Sequence, residues 1–163
     1  MRPLEERHER SWLAPFNRVL QLVARVSPGA ATLRVRLHRW RGVKIGKGVW
    51  IGYDAIIETA YPHLVRIEDR AVIGIRTTII AHFREAQGVV IDEDAVLGPG
   101  VIVLPNVRVG KGAVVTAGSV VTCSVPPMVM VQGNPAKPVA KIGVMLAKNT
   151  SLKEFSTHLK PLR

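Results

Sequence analysis

Two histidines, His63 and His82, stand mid-chain, each inside a stretch that breaks an otherwise regular pattern. Imidazole ionises near neutrality, which suits it to act as a general acid or base. His82 therefore has two readings, as an acid–base group or as a polar turn residue bonded to a neighbouring carbonyl. His63 reads either as a substrate contact or as a solvated loop residue. Glu58 and Glu85 flank the same stretches and are candidates to fix the tautomer of His82, or to be simply solvated. Tyr61 and Phe83 are candidates for an acceptor wall, with packing on the body of the protein as the alternative. Cys123 is the only cysteine, so no intrachain disulfide can form. No paired base is evident that would make it a nucleophile.

The pattern that positions these residues counts in sixes. Aliphatic residues recur at Ile45, Ile51 and Ile57, at Ile67, Ile73 and Ile79, and from Ile91 through Leu97, Val103, Val109 and Val115 to Val121. Four places after most of them stands a slim residue, among them Val49, Ala55, Ala71, Thr77, Ala95, Ala113 and Ser119, and a glycine follows at 46, 52, 74, 98 and 110. A period of six fits neither an amphipathic helix nor a coiled coil. It predicts a triangular parallel β-solenoid that turns a corner every six residues, with the aliphatic residue inward, the slim residue closing the corner and glycine relieving backbone strain.

The count fails twice. From Ile57 to Ile67 there are four extra residues, around TAYPHLV at 59–65. From Ile79 to Ile91 the spacing is two whole hexads, but the inward position would be Glu85. A carboxylate in a dry prism is costly, so HFREAQG at 82–88 is predicted to leave the regular path. Stacking the hexads that start at 57, 79, 97 and 115 predicts one edge shared by both excursions, His82, Gly100 and Gly118, with glycine admitting a ligand close to the backbone.

From about Gly42 to Lys141 the sequence resembles the hexapeptide-repeat acyltransferases, which include maltose, galactoside, serine and xenobiotic acetyltransferases. The resemblance rests on VGKGAVVTAGSVVT at 109–122, VPP at 125–127, GNPAKPVAKI at 133–142 and the histidine of TTIIAHF at 77–83. It implies an all-β, left-handed parallel β-helix, a homotrimer, and acetyl-CoA lying between adjacent subunits. His82 matches the family's catalytic histidine, which removes a proton from a substrate hydroxyl or amine in a ternary complex, without a metal or a covalent acyl-enzyme. Backbone near Gly98, Ala117 and Thr122 is implied to contact the pantetheine arm. Lys137 and Lys141 are implied to meet the cofactor phosphates. Cys123 departs from the family, where a lysine commonly follows the threonine, and the loop near His82 is short. A sugar or glycan precursor is the expected acceptor.

Lys plus Arg exceed Asp plus Glu by 23 − 12 = 11. The excess lies at the ends: nine arginines and three glutamates in 1–42, eight of each sign in 43–126, and six basic residues with one acidic in 127–163. These spans read as a basic helical segment, the β-helix, and a cofactor-proximal tail. A helix is predicted over 11–27, with Ser11 as N-cap and Trp12, Phe16, Val19, Leu20, Val23 and Val26 at helical spacing. A second is predicted over about 30–41, aligning Leu33, Leu37 and Trp40. Their apolar faces are expected to cap the first coil. The stretch LRVRLHRWR at 33–41 alternatively suggests peripheral contact with anionic lipid. No nucleic-acid module accompanies the charge. No signal peptide or membrane-spanning run is evident, so the expected location is the cytoplasm, extending to the inner face of the membrane. Two other readings are a non-catalytic scaffold of the same fold and a metal-dependent carbonic anhydrase, which needs three convergent histidines.

Overall fold

The computed structural model describes residues 14–83, 88–147 and 149–162. Strands of two or three residues, each centred on one hexad, stack into three parallel faces. Face A contains β1 (Lys44–Ile45), β4 (Val65–Ile67), β7 (Val89–Ile91) and β10 (Arg108–Val109). Face B contains β2 (Trp50–Ile51), β5 (Val72–Ile73), β8 (Val96–Leu97) and β11 (Val114–Val115). Face C contains β3 (Ile56–Ile57), β6 (Thr78–Ile79), β9 (Ile102–Val103) and β12 (Val120–Val121). In-register pairs such as Ile51↔Ile73 and Ile57↔Ile79 put every inward aliphatic residue on top of its predecessor. These residues are fully buried from Ile51 to Val121, and the slim residues at the corners are buried with them.

The glycines that follow the aliphatic residues serve a different purpose from the one expected. They are absent from the positive-φ residues; what they lack is room. A Cβ on Gly98 would lie 2.6 Å from the Ala117 nitrogen, and one on Gly74 would lie 2.6 Å from the Gly98 oxygen. Successive coils touch backbone to backbone at these points.

After β12 the chain adds a hairpin to face B. β13 (Val129–Gly133) runs parallel to β11, and β14 (Ala136–Ile142) returns antiparallel through a turn with a cis Asn134–Pro135 bond. A short helix, α3 (Leu152–Thr157), is capped by Ser151 and leads into β15 (Leu159–Pro161), which pairs with β14.

Two helices precede the coils: α1 (Ala14–Val26) and α2 (Leu33–Trp40). Ser11 and Trp12 lie outside the described residues. The hairpin covers the first coil, but its apolar face does not. Phe16, Val19, Leu22, Val23 and Val26 point to solvent, as do Leu33 and Trp40, while Asn17, Gln21, Ala24, Arg34, Val35, Leu37, His38 and Arg41 are buried.

The stacking pattern supplies the reason. In each coil the carbonyl of the inward residue accepts from the coil before it, as Ile67 O does from Gly46 N and Ile73 O from Gly52 N. The first coil has no predecessor, so those carbonyls need other donors. Arg39 donates to Ile45 O on face A at 3.2 Å, Arg34 to Ile51 O on face B at 2.6 Å, and Arg41 to Ile57 O on face C at 2.9 Å. Gln21 and Asn17 add donors to Ala55 O and Thr59 O. Three arginines thus stand in for the missing coil, one per face, and hydrogen bonding outweighs apolar burial in choosing which side of α1 turns inward.

Candidate functional site

Both failures of the count fall at the corner that leads from face C to face A. Four extra residues separate β3 from β4 there, forming a 3-10 turn at Pro62–Leu64. Between β6 and β7 the chain takes a single face step, so six of the residues after Ile79 lie outside the stack. The predicted departure at 82–88 agrees with this single step between the described strands on either side. Residues 84–87, including Glu85, lie outside the described residues.

This single step shifts the register assumed for the later coils. The strands above β3 and β6 are β9 and β12, centred on Val103 and Val121, not those centred on Leu97 and Val115. The corner line of His82 therefore continues through Asn106 to Ser124, with Thr122 over Leu104 and Ile80 at its start. Gly100 and Gly118 belong to the neighbouring corner, between faces B and C. The expectation that they share an edge with His82 is corrected: twelve residues were counted as two face steps where the chain makes one.

His82 ends the strand path of β6 beside the turn after β3. Its Nδ1 lies 2.8 Å from Oε2 of Glu58, and the two side chains are 39% and 1% exposed. Oε2 also accepts from Ala81 N at 2.7 Å, while Oε1 accepts from Ala60 N at 2.9 Å and Tyr61 N at 3.2 Å. Burial pushes the Glu58 carboxyl upward, but hydrogen bonds from His82, Ala81, Ala60 and Tyr61 together hold it below the usual carboxylate range. An ionised Glu58 can only accept, so Nδ1 carries the hydrogen, and in the neutral ring the lone pair is then on Nε2. Glu58 itself adopts φ +22°, a conformation that costs free energy in a non-glycine residue.

The ring of Tyr61 stands edge-on to His82 at 5.2 Å and to His63 at 6.2 Å, so the insertion places Tyr61 and His63 beside the histidine. A groove of about 670 Å³ opens in front of it, lined by Ile80, His82, Phe83, Leu104, Pro105, Asn106 and Thr122. Phe83 is largely exposed. Ile80, Leu104, Pro105 and Asn106 were missed from sequence; subtracting one hexad at the second interruption would have found the last three, since they then follow Val103 on the His82 line.

Behind Glu58 stands a residue that sequence reasoning did not connect to the site. Arg41 donates to the Glu58 carbonyl, to Ile57 O, to Asn17 Oδ1 at 2.7 Å, to Gln21 and to His38 Nδ1 at 3.0 Å. Burial lowers its guanidinium to about 10, against the opposing pull of Glu58, so it stays charged at neutral pH.

Gly98, Gly100, Ala117 and Gly118 lie at the corner between faces B and C, with Lys137 near it. Gly98 lies directly against Ala117 in the next coil. Ser119 Oγ accepts from Gly133 N at 3.1 Å, which fastens the tip of the β13–β14 hairpin beside Gly118. Lys137 pairs with Gln132 near that tip, and Lys141 lies at the far end opposite Val129; both are exposed. Gly118 has φ +70°, and nothing lies within 4 Å of where its Cβ would be. The backbone at Gly118 is therefore open to close approach.

Comparison with known proteins shows what these features are similar to. Residues 88–123 match the bacterial transferase hexapeptide model of six repeats, and residues 64–105 match the hexapeptide repeat of succinyl-transferase. A putative acetyltransferase of Bacillus subtilis (strain 168), YvoF, is 28% identical over 127 residues, covering 74% of this chain and 73% of that protein. The 2,3,4,5-tetrahydropyridine-2,6-dicarboxylate N-acetyltransferase of Brevibacillus brevis is 41% identical over 69 residues, covering 42% of this chain but only 29% of that enzyme. A hexapeptide-repeat-containing acetyltransferase of Vibrio cholerae O1 biovar eltor, solved with acetyl coenzyme A, superposes with a TM-score of 0.64 at 24% identity, covering 80% of this chain and 87% of that one. The fold is the left-handed parallel β-helix that these neighbours share.

Proposed function

We propose, for a chain that belongs to the hexapeptide-repeat transferases, that it transfers an acetyl group from acetyl-CoA to a hydroxyl or amine of a small acceptor, with a sugar or glycan precursor as the acceptor class. The observation that carries this reading is the buried Glu58 carboxylate on Nδ1 of His82 at the wall of an open groove.

In the proposed reaction Nε2 of His82 accepts the proton of the acceptor O–H or N–H as that atom attacks the thioester carbonyl carbon. The carbon–sulfur bond then breaks, and the imidazolium returns the proton to the departing CoA thiolate. Glu58 stabilises the transient imidazolium and keeps the ring in one tautomer. No covalent acyl-enzyme is required. General-base assistance of this kind contributes about 10²- to 10⁴-fold, and holding both substrates in the groove adds the benefit of proximity.

A homotrimer belongs to the same proposal. His82 and Thr122 lie at one edge of face C, and Gly98, Gly100, Ala117, Gly118 and Lys137 lie at or near the other. Two copies side by side would bring one edge of each together around a single acetyl-CoA, with Lys137 and, further along the hairpin, Lys141 available to its phosphates. The coil segment has no net charge, which supports a small-molecule partner over nucleic acid.

The test is free-thiol release from acetyl-CoA over a panel of sugars, amino acids and lipid-linked glycans. A His82→Ala protein that keeps its fold and assembly should lose about 10²-fold or more in kcat. Full activity in that variant would end the general-base assignment.

A further inference from the structure

Helix α1 turns its apolar side to water. Phe16, Val19, Leu22, Val23 and Val26 are 43–65% exposed, and at 100° per residue they fill one continuous arc of the helix. The opposite side is committed to the first coil through Asn17 and Gln21.

Among the described residues of the two helices the charge has one sign. Residues 14–42 contain six arginines and no aspartate or glutamate. Arg34, Arg39 and Arg41 hold coil carbonyls, and Arg25 pairs with Asp54 at 2.7 Å. Arg18 and Arg36 are exposed and, among the described residues, have no ion-pair partner. Arg18 falls at the border of the apolar arc. Trp40 at the end of α2 is 67% exposed.

We propose that α1 docks on the surface of an anionic phospholipid bilayer, its apolar arc entering the acyl boundary while Arg18 and Arg36 meet lipid phosphates. An apolar arc bordered by cations, with an exposed tryptophan nearby, complements that surface in both polarity and sign. A second copy of the hairpin complements it poorly, since residues 14–42 offer no acidic side chain to meet Arg18 and Arg36 of the other copy. At 13 residues α1 is too short to span a bilayer, and no described helix is long and apolar enough to do so. This docking is independent of the chemistry assigned to His82.

The experiment is co-sedimentation of the full chain with vesicles of phosphatidylcholine alone or of phosphatidylcholine mixed with phosphatidylglycerol, with tryptophan emission as a second readout. Binding to the mixed vesicles, a blue shift, and loss of both in high salt are expected. Arg18→Gln and Arg36→Gln should each weaken that binding about fivefold. A Val19→Asp/Val23→Asp variant should abolish it while leaving circular dichroism, oligomeric mass and acetyl transfer unchanged. Undiminished binding by all these variants, or no binding by the parent chain, overturns the proposal. A change of oligomeric mass in the aspartate variant without vesicles also overturns it, because the arc would then be a contact between copies. Should the aspartates disturb the helix, the two arginine substitutions decide the matter on their own.

Discussion

Arg41 and Glu58 meet through the backbone and not through their charged ends. The guanidinium donates to the Glu58 carbonyl, while the Glu58 carboxylate faces Ala60, Tyr61, Ala81 and His82. One residue of the first coil is thus held by the helical hairpin on one side and by the histidine corner on the other. Its φ of +22° is kept by partners on both sides.

Arg41→Met removes the donor to two carbonyls and three side-chain acceptors while keeping much of the volume. Losing one member of such a buried charged network costs about 3 kcal/mol, which corresponds to a fall in Tm of about 6–12 °C for a chain of this size. Thermal unfolding followed by circular dichroism measures it. Thiol release at a temperature where the variant is still folded should also fall, because the Glu58 carbonyl is no longer held.

Glu58→Gln keeps the size of the side chain but places an amide among four N–H donors. The His82 ring loses its fixed tautomer, and kcat is expected to drop about 10²-fold with little change in KM for acetyl-CoA. The variant also reports on stability. The depressed carboxyl of Glu58 contributes stability that is present above the unfolded carboxylate value and lost as pH falls through the folded one. Urea midpoints for the variant should therefore decline less steeply in acid than those of the parent.

His38 gives an acid effect of the same sign. Burial, with the charges of Arg41 and Arg34, lowers it to about 3 from an ordinary 6.5. The unfolded chain takes up this proton first, so stability falls as pH drops below about 6.5 and continues to fall toward 3, with about 2–3 kcal/mol lost by about pH 4.5. His38→Leu should flatten the urea midpoint between about pH 6.5 and 4.5; an unchanged slope would show that this ring is not the group being titrated.

Gly98 and Gly118 separate space from conformation. A Cβ on Gly98 meets the backbone of Ala117 at 2.6 Å and 3.0 Å, so Gly98→Ala should cost about 1–3 kcal/mol by overpacking. Gly118→Ala meets nothing within 4 Å and bears only the penalty of its positive φ, about 1–2 kcal/mol. Because that methyl would project from the bare corner, it should raise KM for acetyl-CoA while sparing kcat, as steady-state kinetics would show.

The prism was legible because its determinant is local: one aliphatic and one slim residue per hexad, repeated in register from Ile45 to Val121. His82, Glu58 and the shared corner of the two excursions followed from the places where that count fails. The later register did not, because twelve residues are compatible with one face step or two, and only strand pairing decides. The helix hairpin was misread for a different reason. The amphipathic pattern of α1 states that two sides exist, but the Ala55 and Thr59 carbonyls and the Arg41 guanidinium, which take Gln21 and Asn17 as partners, decide which one turns inward, and such partners leave no mark in a hydrophobicity pattern.

The excursion after Ile80 contributes no rung to the stack: β6 pairs with β9 and β7 with β10 on either side of it. Gly88 re-anchors the chain, its carbonyl accepting from Asn106 N at 3.0 Å. Segments of other lengths can be spliced between Phe83 and Gly88 without altering the pairing above or below or displacing His82. The corner is a socket: what is plugged into it can change while the spindle of the molecule stays as it is.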